Sequence, residues 1–531
     1  MSSPYPETLS SLFDQALRKY ADRPALQDGT QSLTYGDIDK RSAQVASALA
    51  SLGVGLEDRV GVLLENAVSV PVVDIGILRA GGARLPLNPQ HSVDELRYLL
   101  SDADAETVVC DAARLDALRT VSATVDSLQT VIVVGADGND SISIDGIEVH
   151  RYETLLDSHD GDFDRPSPSP EAIAGHFYTG GTTGKPKGVL YTHRCLVENL
   201  QAHLLEFGFA DDDVGLLTTP LSHSAGTFCL AALLGGGKVL IRDQFDPDET
   251  AEIIERAGVT WTFLVPTMIY RLLDADSLAA VGHSSLTRII YGAAPMRTDR
   301  LREGIERIGP VFHQFYGQTE VPNLITTFPP AEHARAAEAG DLDRLQSAGT
   351  PCLRATVEVR DAQTDEPLPP GETGEVAVAA PYAFEGYFDR PETTAETRRD
   401  GWVYTGDIGR LDDAGYLTLV DRSSDVIVTG GMNVYGRSVE QILREHPDVA
   451  EAIVVGVPDE EWGEAVHAVL VPAETTIDRE SVEAVADERL AAYKRPKSYE
   501  ILESLPTTNL GKIDRSEIRE RYWDDEERSI H

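Results

Sequence analysis

A glycine-rich segment of twelve residues constrains the fold and the chemistry of this chain more than any other feature. Residues 178–189 read YTGGTTGKPKGV, after a predicted short strand at 173–178 and before a predicted helix that begins at His193. Glycine lets a backbone approach a ligand closely, and consecutive N–H groups, hydroxyls and ammonium groups bind anions. The segment therefore predicts a polyphosphate-binding loop between a strand and a helix, formed by Thr179, Gly180, Gly181, Thr182, Thr183, Gly184, Lys185, Lys187 and Gly188.

This loop has two other interpretations, and the first, a Walker A loop, fails on two counts. A Walker A loop, GxxxxGK[ST], would need glycine at position 179 and serine or threonine at position 186, where this chain has Thr179 and Pro186. The second alternative is a flexible loop without a ligand. The density of glycine, hydroxyl and lysine side chains favours a phosphate site over a ligand-free loop.

The same segment resembles the signature of the adenylate-forming (ANL) superfamily, which contains acyl-CoA synthetases, adenylation domains of peptide synthetases and luciferases. Further motifs match in the same order, so the resemblance covers nearly the whole chain. It implies an α/β fold with a large N-terminal domain of doubly wound sheets, a β-rich subdomain and a small mobile α/β C-terminal domain. The alternation of predicted strands and helices between residues 59 and 110 independently favours a doubly wound α/β layer. We expect an adenylation domain at 1–420 and a mobile domain at 421–531, with the hinge near Asp421.

Two further motifs resemble the walls of the nucleotide site. The segment YGQTE at 316–320 implies that the Tyr316 ring and Gly317 lie beside adenine and that Thr319 contacts the α-phosphate. Glu320, together with Thr179, is the implied Mg²⁺ ligand, in keeping with the preference of that ion for hard oxygen donors. Taken alone, Glu320 would be an ordinary surface carboxylate. The segment YGAAPM at 291–296 implies a flat wall formed by Gly292, Ala293 and Ala294.

The C-terminal motifs imply the remaining contacts to ATP and CoA. Asp407 resembles the family carboxylate that accepts both ribose hydroxyls, and Arg422 lies where an arginine reaches ribose or phosphate. The loop with Gly430 and Gly431 resembles a wall of the tunnel for the pantetheine arm of CoA. The segment at 506–515 resembles a P-x-T-x-x-G-K-I-x-R motif, in which Lys512 catalyses adenylation.

The acid itself is expected to bind beside His223, Ala225 and Gly226, in a turn before an apolar helix predicted at 227–234. His223 would contact the carboxylate or gate the pocket, although a purely structural histidine is an equal alternative from sequence. An amino-acid substrate would need a carboxylate for its ammonium group, and the segments 221–237 and 289–297 contain none. This absence favours an apolar acid, either a medium- or long-chain fatty acid or an aromatic acid.

These motifs together predict an ATP-dependent acyl-CoA ligase, with Mg²⁺ as cofactor and with ATP and CoA as co-substrates. A carboxylic acid and ATP would give acyl-adenylate and pyrophosphate, and the CoA thiol would then give acyl-CoA and AMP. The alternatives are an adenylating enzyme that hands the acyl group to a carrier protein, a luciferase-like oxygenase, a P-loop ATPase and a non-catalytic nucleotide-binding protein. The nucleotide products distinguish these classes.

Composition bears on the partners and the cellular setting. The 531 residues carry a formal net charge of −42, which argues against nucleic acid and anionic membrane as partners. Concentrated salt screens such self-repulsion, so we expect a halophilic source, with an ordinary acidic mesophilic protein as the alternative. Four widely separated cysteines and the absence of a signal peptide or a transmembrane segment predict a cytoplasmic protein. A homodimer is compatible with the sequence, which does not determine the oligomeric state.

Overall fold

The structure is a computed structural model that describes residues 7–136, 142–179, 185–282, 284–422, 425–430, 432–459, 462–474, 476–506 and 513–523. The α-helices of these residues are α1 (Leu9–Lys19), α2 (Tyr35–Ser51), α3 (Ser69–Ala80), α4 (Val93–Asp102), α5 (Leu115–Ser122), α6 (Tyr152–Asp157), α7 (His193–Phe207), α8 (Ser224–Gly235), α9 (Pro247–Arg256), α10 (Pro266–Leu273), α11 (Leu278–Val281), α12 (Thr298–Arg307), α13 (Pro330–Ala339), α14 (Leu342–Leu345), α15 (Pro391–Thr397), α16 (Gly436–Leu443), α17 (Arg479–Arg489) and α18 (Arg515–Glu520).

The strands of the described residues form four sheets. They are β1 (Pro24–Gln27), β2 (Ser32–Thr34), β3 (Arg59–Leu63), β4 (Ala83–Pro86), β5 (Thr107–Asp111), β6 (Thr130–Val134), β7 (Glu148–Arg151), β8 (Ile173–Tyr178), β9 (Gly188–Thr192), β10 (Val214–Leu217), β11 (Lys238–Ile241), β12 (Trp261–Phe263), β13 (Arg288–Tyr291), β14 (Phe312–Tyr316), β15 (Thr326–Phe328), β16 (Thr350–Pro351), β17 (Thr356–Arg360), β18 (Gly374–Ala379), β19 (Gly386–Tyr387), β20 (Arg398–Arg399), β21 (Trp402–Leu411), β22 (Leu417–Arg422), β23 (Ile427–Thr429), β24 (Met432–Val434), β25 (Val449–Asp459), β26 (Gly463–Pro472) and β27 (Ser498–Ile501).

Two large sheets confirm the predicted α/β architecture. The first has the order β19-β9-β8-β4-β3-β5-β6-β7, and its strands from β8 to β7 run parallel. The second has the order β16-β15-β14-β13-β12-β10-β11-β1-β2, with a parallel centre from β14 to β1 and antiparallel strands at both ends. Parallel strands need helical crossovers that cover both faces of a sheet. The helices between these strands serve that purpose, so both sheets are buried.

Local sequence signals fix the helices that flank the site. Thr192 ends β9, and its hydroxyl accepts a hydrogen bond from the backbone N–H of Cys195, so α7 begins at His193 as predicted. Ser92 and Glu95 form a capping box at the start of α4. The predicted helix at 227–234 is α8, and it begins three residues earlier, at Ser224. This earlier start brings the predicted acid-binding residues Ala225 and Gly226 into its first turn.

A smaller antiparallel sheet, in the order β17-β18-β21-β20 with β22 beside β21, forms the expected β-rich part of the chain. The last sheet has the order β24-β23-β26-β25, and β27 lies parallel to β26 after the crossover helix α17. Helices α16 and α17 pack with this sheet into a separate apolar core that contains Ile427, Val439 and Leu470, and Ile518 of α18 packs with Ile453 and Val469 in a second cluster. The C-terminal part is therefore a smaller α/β unit, as the sequence predicted.

Candidate active site

The glycine-rich loop connects two antiparallel strands, which corrects the prediction that it lies between a strand and a helix. Strand β8 pairs antiparallel with β9, and Tyr178 lies opposite Gly188. At the base of the loop, the Thr179 N–H donates to the carbonyl of Lys187 (3.1 Å), and the Lys187 N–H donates to Oγ1 of Thr179 (3.0 Å). A hairpin satisfies backbone groups that a strand–helix turn would leave unpaired. The predicted residues Gly180, Gly181, Thr182, Thr183 and Gly184 lie outside the described residues.

Glycine is required at position 188 for packing. A Cβ atom there would lie 2.1 Å from Nε2 of His176, which is buried and stacks on the Tyr178 ring at 5.0 Å. Position 188 of β9 can therefore lie against His176 of β8 only if it has no side chain. Gly188 thus allows the two strands of the hairpin to pack closely, a role that the sequence alone did not separate from phosphate binding.

Helix α4 anchors both ends of the glycine-rich loop. The Tyr98 hydroxyl donates to the carbonyl of Pro186 (2.8 Å), and the Tyr178 hydroxyl donates to Asp102 (2.9 Å). The Arg390 guanidinium also donates to Asp102 (2.6 Å). The Lys185 ammonium lies 5.5 Å from the centre of the Tyr98 ring. No motif pointed to these anchors, because each is an ordinary helix or loop residue until the fold brings it to the hairpin.

The YGQTE segment meets Asp407 at a single buried carboxylate. The Tyr316 hydroxyl donates to Oδ2 of Asp407 at 2.5 Å, and the amide of Gln318 donates to the same oxygen at 3.1 Å. Arg422 places its Nε 3.3 Å from Oδ1. Burial and the adjacent carboxylate raise the pKa of Tyr316, so its hydroxyl stays protonated and donates. The structure thus brings together Tyr316, Asp407 and Arg422, which the sequence assigned separately to the nucleotide.

Glu320 and Thr319 are held from the other side of the site by two tyrosines. The Tyr387 hydroxyl donates to Oε1 of Glu320 at 2.5 Å, and the Tyr191 hydroxyl donates to the backbone carbonyl of Thr319. The Lys187 ammonium lies 4.5 Å from the centre of the Tyr387 ring. Burial and the Glu320 carboxylate raise the pKa of Tyr387, which keeps its hydroxyl protonated. Glu320 is 9% exposed and is therefore not the surface carboxylate that it could have been from sequence alone.

The predicted acid pocket lies at the start of α8. His223 is the exposed N-cap residue, and its Nε2 lies 3.4 Å from the Asn88 amide. Ser224 donates to Oδ1 of Asn323 (2.8 Å), and the Asn323 amide contacts Nε2 of buried His203 (3.2 Å). Sequence reasoning did not find this chain of polar groups, because its members come from three distant helices and loops. It fixes the first turn of α8 against the loop that follows YGQTE.

Gly226 is required by a close backbone approach in that turn. A Cβ atom at this position would lie 2.1 Å from the carbonyl oxygen of Leu221. We expect Gly226→Ala to displace the start of α8, to raise the KM for the acid more than the KM for ATP, and to lower the free energy of unfolding by about 1–3 kcal/mol. Steady-state kinetics and urea denaturation measure both effects. Gly29→Ala is the matched control because no atom lies within 4 Å of its added Cβ; an unchanged KM for the acid in Gly226→Ala would contradict the placement of the pocket.

The YGAAPM segment combines a glycine that packing requires with two exposed alanines. A Cβ at Gly292 would lie 2.5 Å from the carbonyl oxygen of Phe315, so that position is filled by protein. Ala293 has a positive φ of 65°, and both Ala293 and Ala294 are exposed. Gly292 therefore serves the packing of β13 on β14, and the assignment of Gly292, Ala293 and Ala294 to a flat wall of the nucleotide site stays a prediction.

The predicted hinge is surrounded by charged groups from the C-terminal unit. Asp421 is 1% exposed; Arg437 places Nε 3.8 Å from its carboxylate, and burial raises the pKa of Asp421. Nearby, Arg515 donates to Glu440 at 2.7 Å. The Asp514 N–H donates to the carbonyl of Pro506 (2.9 Å), which closes the base of the segment that contains Lys512.

Two predicted residues of the C-terminal unit, Lys512 and Gly431, lie outside the described residues. Gly430 has a φ of 56°, and its N–H donates to the carbonyl of Trp462 (2.9 Å). In the described part of the chain, no three His, Cys, Asp or Glu side chains form a metal-binding cluster. No helix in the same residues has the length and apolar character needed to cross a bilayer.

Known proteins are similar to this chain in both sequence and fold. The sequence model of the "AMP-binding enzyme" family matches residues 13–388, and that of the "AMP-binding enzyme C-terminal domain" matches residues 438–512. The medium/long-chain-fatty-acid–CoA ligase FadD8 of Mycobacterium tuberculosis is 37% identical over 97% of this chain and 90% of its own length. A feruloyl-CoA synthase of an Amycolatopsis species is 35% identical over 94% of this chain and 96% of its own length.

A solved structure extends this similarity to three dimensions. The crystal structure of ATP-bound MatB from Rhodopseudomonas palustris has a TM-score of 0.85 and 30% sequence identity, and the match covers 97% of this chain and 99% of that one. The similarity thus spans the two large sheets and the smaller C-terminal unit. The chain belongs to the AMP-binding enzyme family.

Proposed function

We propose a two-step course for the reaction of this chain, which is an AMP-forming acid–thiol ligase that produces acyl-CoA. A carboxylate oxygen of the acid first attacks the α-phosphorus of ATP, and pyrophosphate leaves. The CoA thiol then attacks the carbonyl carbon of the acyl-adenylate and gives up its proton, and AMP leaves. Protein groups do little covalent work in such transfers, so positioning and charge neutralisation dominate.

The meeting of Tyr316, Asp407 and Arg422 is the observation that carries the proposal. A carboxylate offers about four acceptor positions, enough for a pair of ribose hydroxyls when one present donor moves away. Arg422 is half-exposed and is the donor best able to move toward the ribose or phosphate. We assign the Tyr316 ring, with Gly317, to the adenine side and Thr319 to the α-phosphate.

Phosphate binding is assigned to the hairpin loop between Thr179 and Gly188. Its lysines, Lys185 and Lys187, supply positive charge beside backbone N–H groups, and Lys512 adds a third ammonium group during adenylation. Glu320 and the Thr179 hydroxyl offer hard oxygen atoms of the kind that Mg²⁺ prefers, and within the described residues no hydrogen bond or ion pair engages Oε2 of Glu320. When bound, Mg²⁺ would neutralise charge on the phosphate oxygens.

The acid is assigned to an apolar class. Behind the predicted pocket, Phe228 packs on Phe263 and Phe315 with ring centres 5.0 Å and 5.4 Å away, and all three rings are buried. The pocket segments contain no carboxylate to pair with a substrate ammonium group. A medium- or long-chain fatty acid or an aromatic acid therefore suits this region, with His223 at the mouth, and Gly430 and Gly431 are assigned to the pantetheine arm of CoA.

The domain motion and the cellular setting are part of the same proposal. Residues 421–531 would rotate about Asp421 between the two steps, exchanging Lys512 for the Gly430–Gly431 loop at the site. The net charge of −42 suits a halophilic, salt-rich cytoplasm, as do four buried free thiols in the described residues. A homodimer is the oligomeric state to test by sedimentation in that salt.

Nucleotide product analysis tests the proposal directly. Purified protein is incubated with Mg-ATP and CoA in molar KCl, against acids from acetate to long-chain fatty acids and benzoates. We expect AMP and a matching amount of acyl-CoA with apolar acids only. AMP formation that ignores CoA would indicate another acceptor such as a carrier protein. ADP, or no product with any acid, would contradict the ligase assignment.

A further inference from the structure

A short segment from the β-rich part of the chain joins the phosphate hairpin to the YGQTE segment. We call residues 384–390 the bridging segment. Its strand β19 pairs with β9, and the Phe388 N–H donates to the carbonyl of Gly188 (2.8 Å). At its other end, the Phe384 N–H donates to the backbone carbonyl of Glu320 (2.9 Å). The bridging segment thus holds the two halves of the site at a fixed separation.

Tyr387 is the side chain at the centre of the bridging segment. It is 6% exposed, its hydroxyl donates to Oε1 of Glu320, and its ring lies beneath the Lys187 ammonium. Its backbone N–H donates to the hydroxyl of Thr394 in α15 (2.9 Å), which fixes the backbone of this strand. One side chain therefore touches both a carboxylate and a cation of the candidate site.

We propose that Tyr387 is a positioning residue for metal-bound ATP: its hydroxyl orients Glu320, and its ring orients the Lys187 ammonium. The inference depends on the assignment of Glu320 to Mg²⁺ and of Lys187 to phosphate in the proposed function. The side chains of glutamate and lysine have several rotatable bonds. Without Tyr387, the oppositely charged Glu320 and Lys187 would attract each other and lose the separation that metal and phosphate need. With Tyr387 present, the hydroxyl holds Glu320 and the ring holds Lys187, so each charge has its own contact and a direct ion pair is disfavoured.

The two contacts act through different parts of Tyr387, so two variants separate them. Tyr387→Phe keeps the ring beneath Lys187 and removes only the hydrogen bond to Glu320. Groups that orient a metal ligand typically change metal affinity or activity by about 10- to 100-fold when they are removed. Tyr387→Leu removes the ring as well, so it is expected to raise the KM for ATP beyond that of Tyr387→Phe.

Mn²⁺ serves as the probe, because its free form gives an EPR signal that bound Mn²⁺ loses. The full-length chain is saturated with a non-hydrolysable ATP analogue, and the Kd for Mn²⁺ is measured for the wild type and the variants. We expect Tyr387→Phe to raise this Kd about 10-fold or more. Tyr382→Phe is the matched control: Tyr382 is buried in the same region, and its hydroxyl donates to the carbonyl of Leu324 (2.7 Å), outside the site.

The outcomes separate this inference from the proposed function. A wild-type chain that makes AMP and acyl-CoA, with weakened Mn²⁺ binding in Tyr387→Phe alone, supports the positioning role. An unchanged Mn²⁺ Kd in Tyr387→Phe overturns it, and so does an equal loss in Tyr382→Phe, which would reflect general packing. A wild-type chain without AMP-forming activity would instead contradict the ligase assignment.

Discussion

Replacing Lys512 by alanine is expected to slow acyl-adenylate formation by a factor of about 10²–10³. Two anions, the acid and ATP, must meet in this step, and a preorganised ammonium group offsets the charge that develops between them. Single-turnover formation of the acyl-adenylate measures the effect. The transfer from supplied acyl-adenylate to CoA should remain close to the wild-type rate, because Lys512 is proposed to leave the site before that step.

The contacts of the residues that follow Lys512 make this substitution a test of the Lys512 side chain alone. Arg515 and Asp514 fix the chain after it through Glu440 and Pro506, and an alanine at 512 leaves these contacts in place. Lys40→Ala, at an exposed position of α2, is the control for the loss of one positive charge from a strongly acidic protein. Normal adenylation by Lys512→Ala would remove this residue from the catalytic machinery.

Mild acid is expected to unfold the protein because five buried histidines are held neutral. Burial lowers the pKa to about 4 for His176, His193, His203 and His333, and to about 3 for His313. In the unfolded chain a histidine takes up its proton near pH 6.5. Below that pH the unfolded state binds more protons, so the free energy of unfolding falls by up to about 1.4 kcal/mol per pH unit for each histidine.

The five contributions add to a fall of up to about 7 kcal/mol per pH unit, against a total stability of about 5–15 kcal/mol for typical proteins. The free energy of unfolding falls between pH 6.5 and about 4, and above pH 6.5 these histidines do not make it depend on pH. Urea denaturation at constant KCl between pH 7.5 and 5.5 measures the slope. Removing one titrating group with His313→Leu should reduce proton uptake on unfolding by about one; a stability that is flat across this range would contradict the assignment of neutral buried histidines.

Sequence periodicity predicted those elements whose signals are local. Strand β8 has the predicted bounds, and α7 begins at the predicted residue. Strand β9 was missed because its five residues follow the loop directly and read as an approach to α7. Strand β19 was missed because two residues form a strand only where a distant partner supplies the hydrogen bonds.

The residues of the candidate site also fall into those with a local sequence signal and those that only the fold reveals. Motifs indicated Tyr316, Asp407 and Arg422 one by one, and the fold brings them to one carboxylate. Tyr98, Asp102 and Tyr387 carried no signal, because a tyrosine hydroxyl becomes a positioning group only through the partner that it meets. The packing role of Gly292 also carried no signal of its own, since a glycine needed for packing and a glycine needed for a ligand look identical in sequence.

The pairing of β19 with β9 also determines when this enzyme can acquire its ATP site during synthesis. A ribosome adds about 5–20 residues per second, so the roughly 195 residues between the two strands take about 10–40 s to translate. During that time the edge of β9 has no partner from β19, and Glu320 lacks the hydroxyl of Tyr387. If the hairpin and Glu320 bind metal-bound ATP as proposed, the nucleotide is not expected to act as a template for the earlier folding of the hairpin, and a nascent chain shorter than about 390 residues is expected to be unable to sequester it.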